Sequence, residues 1–451
     1  MGKYFGTDGF RGEANCDLTV DHAFKIGRYV GNYYSSEDHR AQVVIGKDTR
    51  RSSYMFEHAL CAGLTASGAD AFLLHVTTTP SVSYITRADD FDCGIMITAS
   101  HNPYQDNGIK LLNSQGEKME EEMLAGLEEY LDSNEQLPYA YRDRIGSVVD
   151  YAAGRNRYIG YLISLATRSY KNYRIGLDCA NGSSWQMAKS IFDALGADTF
   201  VIGNTPDGLN VNIDCGSTHI GNLKKMVKEN HLDVGFAFDG DADRCIAVDE
   251  HGNEVNGDHI MYACAKYMHD HGTLGDSKVV TTIMSNMGLY KALDELGIGY
   301  EKTKVGDKYV AENMREYGHL IGGEQSGHII FGQLASTGDG LMTAIKLMEV
   351  ITETKQPLSA LAAPMVMYPQ VLKNVVVTDK EETMKCKEVV DAIAKVEEDL
   401  GDDGRVVTRP SGTEPLLRVM VEATSHELCE AKVDEIIAAM DKAGRLIEVK
   451  K

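Results

Sequence analysis

Asp239, Asp241 and Asp243 stand at alternate positions in Asp239-Gly240-Asp241-Ala242-Asp243-Arg244, directly after the apolar run Val234-Gly235-Phe236-Ala237-Phe238. Three carboxylates this close repel one another unless a cation sits among them. The spacing matches the opening of a helix-flanked calcium loop, and Glu250 stands where such a loop takes its closing carboxylate. Arg244, however, occupies the place of that loop's glycine, and the flanking residues read as strand, so a calcium loop is excluded. A few oxygen ligands with positions left open suit Mg²⁺, completed by a phosphate oxygen and water.

Another polar loop follows an apolar run: Ile95-Met96-Ile97 leads into Thr98-Ala99-Ser100-His101-Asn102-Pro103. Pro103 disfavours the α region at Asn102, so no helix begins directly after the serine. A hydroxyl at the mouth of a sheet, beside an imidazole and an amide, is placed for nucleophilic or phosphoryl-carrying chemistry. Alone, the same stretch would serve as a simple chain reversal. In Gly6-Thr7-Asp8-Gly9-Phe10-Arg11-Gly12, three glycines let the backbone approach a ligand and Arg11 offers a fork for phosphate. Arg409-Pro410-Ser411-Gly412-Thr413-Glu414-Pro415, with Arg418 beyond it, joins two guanidiniums, two hydroxyls and a glycine, a set suited to a phosphate dianion. Gly322-Gly323-Glu324-Gln325-Ser326-Gly327-His328 is a polar loop of a size to meet a sugar. Phosphoryl transfer through a serine is the chemistry that uses all of these parts.

The bulk charge runs against an anionic ligand. The 451 residues include 45 basic and 67 acidic ones, a net charge of -22, so cations that meet a phosphate must be concentrated locally. The same balance excludes a nucleic-acid binder, which needs a basic face. Apolar residues make up 43% and charged residues 25%, as in an ordinary soluble protein. No apolar run reaches the roughly 18 residues of a membrane span, and the N-terminus lacks the apolar core of a signal peptide. Nine cysteines are scattered without a Cys-x-x-Cys pair, which implies reduced thiols, a cytoplasmic location and no cysteine-bound zinc.

The elements that position these loops repeat. Ala41–Gly46, Ala71–Val76 and Ile95–Ile97 read as strands, with a helix from about Tyr54 to Ser67. After a linker from Pro138 to Asp150, the pattern restarts with Tyr173–Asp178, a helix over Trp185–Leu195, then Thr199–Ile202 and Val234–Phe238. It starts again at Val279–Met284, with Ser285 as the N-cap of a helix that stops at Gly297, then Tyr300–Val305 and a helix to about Tyr317. In each unit the third strand ends in a polar loop, and ligands gather at the carboxyl ends of strands in such sheets. The three loops are therefore expected to converge on one cleft. Beyond Pro357, Pro364 and Pro369 the order changes to strand, helix over Lys380–Leu400, strand, strand, helix, a small α+β domain. The predicted fold is α/β: three similar α/β domains with mixed or parallel sheets, plus a C-terminal α+β domain, around a central cleft.

These motifs, in this order from Gly6-Thr7-Asp8-Gly9 to Arg418-Val419-Met420-Val421-Glu422, resemble those of the α-D-phosphohexomutases essentially end to end. The resemblance implies that Ser100 carries a phosphoryl group and shares one Mg²⁺ per chain with Asp239, Asp241 and Asp243. It implies that phosphorylation of Ser100 is required, that Lys110 and His328 are candidate proton shuttles, and that Arg11 and His101 support the phosphoserine. It also assigns substrate contacts to Arg244, Lys304, Gly306, Asp307, Glu324 and Ser326, and phosphate contacts to Arg409, Ser411, Gly412, Thr413 and Arg418. The implied domains are 1–150 with the phosphoserine, 151–255 with the metal loop, 256–368 with the sugar loop and 369–451 with the phosphate clamp. Gln325, Gly412 and Cys215-Gly216-Ser217-Thr218-His219 resemble the glucosamine branch, whereas the mannose and glucose branches usually carry methionine and often asparagine at the first two places. The implied reaction interconverts glucosamine-6-phosphate and glucosamine-1-phosphate through a 1,6-bisphosphate, feeding UDP-N-acetylglucosamine and cell-wall precursors. Its partner is a small phosphosugar, with no nucleic acid or membrane; a homodimer is the assembly to test. Thr98 and Ile220-Gly221 depart from the branch pattern, Thr98 where many members have serine, and neither touches an implied catalytic role. Rival readings are a phosphomannomutase or phosphoglucomutase, a phosphosugar-binding protein without turnover, and a metal-dependent phosphatase.

Overall fold

The three polar loops of the first 368 residues are the tips of β-hairpins. Cys93–Ile97 pairs antiparallel with Asp106–Leu112, Val234–Phe238 with Cys245–Asp249, and Ile321–Gly323 with Ile329–Phe331. All five residues of Cys93–Ile97 and of Val234–Phe238 are buried, which explains their unbroken apolar character: each is covered on both faces. The chain therefore leaves the core abruptly at Thr98 and at Asp239, and the polar residues that follow collect at the sheet ends. This computed structural model describes residues 2–411 and 416–450.

The described residues form four sheets. The first runs Phe5–Gly6, Gly9–Glu13, Asp106–Leu112, Cys93–Ile97, Gln42–Lys47, Asp70–Val76, Val148–Asp150; it is antiparallel at one side and parallel from Cys93–Ile97 onward. The second runs Glu254–Val255, Cys245–Asp249, Val234–Phe238, Arg174–Asp178, Asp198–Ile202, and the third Tyr300–Thr303, Val279–Thr282, Ile321–Gly323, Ile329–Phe331. The fourth is antiparallel throughout: Arg405–Pro410, Leu416–Glu422, Gln370–Val377, Leu446–Lys450. The mixed α/β layers and the C-terminal α+β layer are those predicted. Among the described residues no helix is long and apolar enough to cross a membrane.

Several predicted elements differ. The stretch Pro138–Asp150 is not only a linker: Val148–Asp150 adds a parallel strand beside Asp70–Val76. The strand at Val279 stops at Thr282, and the N-cap of the next helix is Asn286, not Ser285, because the Asn286 side chain accepts from Gly288 N. By compactness the described residues divide into those of Met1–Thr282 with Glu301–Ala363, and those of Ile283–Tyr300 with Pro364–Lys451. Buried Glu422 accepts the Met287 N–H at 3.0 Å and Asn286 Nδ2 at 3.2 Å, placing a carboxylate at the positive end of the helix Met287–Glu295. The predicted helix Lys380–Leu400 is two, Lys380–Lys385 and Lys387–Leu400, broken by an extended Cys386. The strand Leu446–Lys450 was missed; its partly exposed alternation is short and charged.

Candidate active site

Ser100 sits at the tip of its hairpin, 1% exposed, at φ 50°. Its Oγ donates to Asp239 Oδ2 at 2.6 Å and lies 3.2 Å from His101 Nδ1. The serine loop and the aspartate loop are thus in direct contact, and a methyl at Gly240 would come 2.5 Å from the Ser100 carbonyl oxygen. Burial, then the Asp243 and Asp241 charges, raise the pKa of Asp239 well above the carboxylate range. Burial together with the Arg244 and Arg11 guanidiniums pushes His101 down to about 4, so its imidazole is neutral at pH 7.

Asp239, Asp241 and Asp243 are buried, and ligand oxygens of the three lie within 4.8 Å of one another. Asp241 Oδ1 and Asp243 Oδ1 are buried with no hydrogen-bond partner. Orphaned carboxylate oxygens in an all-oxygen set fit a hard divalent cation such as Mg²⁺. The other oxygens are occupied. Lys110 Nζ lies 2.8 Å from Asp241 Oδ2, 3.3 Å from Asp243 Oδ2 and 3.2 Å from Asp8 Oδ1. Burial lowers the Lys110 pKa, but these carboxylates outweigh it and hold it well above its ordinary value, so Lys110 is a fixed cation. Thr79 also binds Asp241, through its Oγ1 to Oδ2 at 2.5 Å and its N–H to the Asp241 carbonyl at 3.0 Å.

Arg11 pairs with Asp8 rather than standing open, although its Nε is buried without a partner. Gly9 serves the hairpin turn more than a ligand: φ is 89°, and a methyl there would come 2.6 Å from the Ile109 carbonyl oxygen. Burial acts to raise the Asp8 pKa, and Lys110, Arg11 and Lys118 overcome it, leaving Asp8 well below its ordinary value. Lys118 Nζ bridges the Thr7 carbonyl at 2.6 Å and Asp307 Oδ1 at 2.7 Å.

The sugar-sized loop joins this cluster. Arg244 and His328 form an antiparallel bridge, and Cys245 N donates to the Gly327 carbonyl at 3.0 Å. Arg244 is held charged: burial lowers its pKa, and Asp239 and Asp243 outweigh that. His328 is 3% exposed, and neither ring nitrogen has a hydrogen-bond partner; Asp307 Oδ2 is 3.5 Å from Nε2. Glu324, its pKa raised by burial, accepts the Gly306 N–H at 3.2 Å. Ser326 and Lys304 are exposed. A cavity of about 1150 Å³ is lined by Asp8, Lys110, Lys118, Asp243, Asp307 and His328 among others.

Arg409, Ser411 and Arg418 lie in the other compact unit. Arg409 and Arg418 face each other across paired strands, and burial with the Arg418 charge lowers the Arg409 pKa. Both Nε atoms are buried without partners, and Ser411 is buried with its carbonyl accepting from Lys380 Nζ at 2.8 Å. Two unpaired guanidiniums side by side suit an anion. Gly412 and Thr413 lie outside the described residues.

Sequence reasoning missed Asp8, Lys118, Thr79, Asp48, Arg50 and Asn212. It also gave Thr98 no role, yet Thr98 Oγ1 accepts the Ser100 N–H at 3.0 Å. The signal available was position: Asp48 and Arg50 directly follow Gln42–Lys47, a strand ending beside Ile97.

Models of the phosphoglucomutase/phosphomannomutase α/β/α domains I, II and III match residues 2–138, 156–252 and 256–368, and that of the C-terminal domain matches 372–439. The chain is 63% identical over 447 residues to the phosphoglucosamine mutase of Lachnospira eligens, covering 98% of this chain and 99% of that one. It is 48% identical over 442 residues to the phosphoglucosamine mutase of Oceanobacillus iheyensis, with coverage of 98% and 99%. In fold it is similar to a phosphoglucomutase/phosphomannomutase family protein of Burkholderia thailandensis, at a TM-score of 0.81, 23% identity and 98% coverage of each chain.

Proposed function

The chain belongs to the phosphoglucomutase/phosphomannomutase family, and from that premise we propose that it is a phosphoglucosamine mutase. It interconverts glucosamine-6-phosphate and glucosamine-1-phosphate, with Ser100 as the phosphoryl carrier. The observation that carries this reading is the 2.6 Å hydrogen bond from Ser100 Oγ to Asp239, which sets a transferable hydroxyl against a three-carboxylate cation site. Relatives named phosphoglucosamine mutase at 48% and 63% identity support the sugar.

Asp239, Asp241 and Asp243 would hold Mg²⁺ together with the phosphate on Ser100. Once bound, the cation neutralises phosphoryl charge and polarises the group for transfer. Phosphoserine adds about -1.5 to -2 charges, met by Arg11, Lys110, Arg244 and the neutral donor His101. In the first half-reaction the sugar's C1 oxygen bonds to phosphorus as the Ser100 Oγ–P bond breaks. The C1 hydroxyl proton passes to His328, whose ring nitrogens are unengaged. Lys110, held charged, donates to the developing serine oxygen rather than acting as a base. In the second half-reaction Ser100 Oγ bonds to the phosphorus of the bisphosphate's 6-phosphoryl group as the sugar O6–P bond breaks; the serine proton leaves toward Asp239 or His101, the acceptors it already faces, and O6 takes the proton held on His328. Glu324 and Ser326 grip sugar hydroxyls, Lys304, Gly306 and Asp307 complete the substrate contacts, and Arg409, Ser411, Gly412, Thr413 and Arg418 take the phosphate that is not reacting. Because either phosphate must fit that clamp, it reads charge rather than sugar.

The test is a substrate panel with the phosphorylated enzyme, Mg²⁺ and each 6-phosphosugar, beside Ser100→Ala. Glucosamine-6-phosphate should turn over fastest, and the variant should be inactive. Faster turnover of glucose-6-phosphate or mannose-6-phosphate would move the assignment to the other branches. Steady release of inorganic phosphate would make the protein a phosphatase.

A further inference from the structure

Ser100 does not hold its own conformation. A residue with a side chain at φ 50° is strained and persists only where its surroundings over-determine it. Four side chains that take no part in the substrate contacts fix the peptide groups around it. Thr98 Oγ1 accepts the Ser100 N–H at 3.0 Å and donates to Asp48 Oδ2 at 2.7 Å. The Ser100 carbonyl accepts from Arg50 Nη2 at 3.1 Å and from Asn212 Nδ2 at 2.9 Å. The same two groups reach the Asn102 carbonyl, at 2.5 Å and 3.1 Å. Arg50 is fully buried and ion-paired to Asp48, whose Oδ1 also accepts the Arg50 N–H at 2.9 Å and Ser53 Oγ at 2.8 Å. Asn212 comes from the second sheet's layer, and its N–H is held by the Ala180 carbonyl at 2.9 Å. Both ends of the Ser100 residue are therefore gripped, one from its own sheet and the other from both.

We propose that Asp48, Arg50, Thr98 and Asn212 form a clasp that positions the phosphoryl carrier, so that the phosphoryl group passes to the sugar and not to water. The inference rests on the phosphoserine reading of the site. The clasp touches no reacting atom; its members are positioning residues that act through the Ser100 backbone. Their alignment matters because a misplacement of about 1 Å costs on the order of 100-fold in a positioned transfer. When the loop relaxes toward an unstrained φ, Oγ turns away from Asp239 and the phosphoryl group loses its line to the sugar oxygen. Water then competes: its oxygen bonds to phosphorus, the Oγ–P bond breaks, and a water proton ends on the Ser100 oxygen, leaving serine and inorganic phosphate. Sugar binding is set elsewhere, by the Glu324 loop and the Arg409–Arg418 strands, so the defect falls on kcat and not on KM.

The experiment compares Thr98→Val, Thr98→Ser and Asn212→Ala with the wild-type full chain. Each is phosphorylated on Ser100 and assayed with Mg²⁺ and glucosamine-6-phosphate. Thr98→Val and Asn212→Ala should lose at least about tenfold in kcat with KM within about twofold, the signature of a lost transition-state interaction. Inorganic phosphate released per sugar turnover should rise by about tenfold or more, on the same misalignment argument. Thr98→Ser keeps the hydroxyl and should stay within about threefold of wild type in both readouts. An unchanged release ratio overturns the clasp, because a merely structural defect lowers the active fraction without altering the partition. So does a rise in KM alone, or a Thr98→Ser enzyme that behaves like Thr98→Val. If Thr98→Val does not fold, Asn212→Ala decides by the same ratio. A wild-type enzyme that passes nothing from phosphorylated Ser100 to the sugar overturns the functional reading instead, whatever the variants do.

Discussion

Replacing Lys110 with methionine removes a cation that lies within 3.3 Å of Asp8, Asp241 and Asp243 together. Methionine nearly matches the lysine stem in volume, so the perturbation is of charge. The Lys110 side chain is 7% exposed and that of Asp241 is 0%. At about 3 Å and an effective dielectric of about 20, one such pair is worth about 5 kcal/mol before desolvation. Deleting one partner of a buried pair costs about 3–5 kcal/mol net, since the carboxylates remain. Lys110→Met should therefore lower the stability of the metal-free protein by about that amount. The same variant gives Mg²⁺ a larger role, because a cation binding the folded state stabilises it by mass action and here also restores the missing charge. The assay is thermal unfolding of both proteins in chelator and in saturating Mg²⁺. The variant should fall well below wild type in chelator, and the gap should narrow by at least half with Mg²⁺. A variant as stable as wild type in chelator, or a gap unchanged by Mg²⁺, would refute the charge argument. Activity should drop independently, since Lys110 is proposed to donate to the serine oxygen.

Other perturbations read different parts of the account. Asp339 caps the helix Gly340–Thr354 and accepts from Tyr158 Oη at 2.6 Å; burial raises its pKa to about 6. A raised carboxyl stabilises the fold fully below its unfolded pKa and loses that contribution as pH rises through about 6. A shift of about 2 units is worth about 3 kcal/mol, so Asp339→Asn should gain about that much relative to wild type between pH 4 and pH 7, measured by chemical unfolding; a constant difference across that range would remove the argument. Glu422→Gln should destabilise the C-terminal unit by about 1–3 kcal/mol, because the carboxylate accepts from Met287 N, Asn286 and Arg405 at once. Limited proteolysis should then cut near Met287 first, and protection equal to wild type there would contradict the capping role. Arg418→Ala should raise KM by about 10- to 100-fold for both glucosamine phosphates, the worth of a charged hydrogen-bonded contact, with kcat little changed; an effect on one of the two alone would mean that the clamp reads more than charge.

Local chemistry was legible in the sequence, and contacts across long separations were not. Ser100 and the three aspartates could be found because an apolar strand ending in a polar turn is a local signal, visible within ten residues. The convergence of their loops with Glu324–His328 followed from the repeated strand order. Asp8 and Lys118 could not be found in the same way: each is an isolated charge whose meaning lies in Lys110 and in Asp307. Asn212 sits in a polar connection, and nothing near it announces the Ser100 carbonyl 112 residues away. Thr98 looks neutral in the sequence because its hydroxyl serves the backbone of Ser100 and the carboxylate of Asp48, neither of which a motif encodes. The capping of the helix Met287–Glu295 by Glu422 was hidden in the same way, since the two lie 135 residues apart.

The most direct measurement follows the phosphoryl group itself. The protein is labelled with ³²P on Ser100, freed of excess label and mixed once with glucosamine-6-phosphate and Mg²⁺. The account predicts that the label leaves Ser100 and appears first in glucosamine-1,6-bisphosphate, at the 1-position, within a single turnover. Label that stays on Ser100 while the sugar phosphate isomerises, or that appears only as inorganic phosphate, would contradict it.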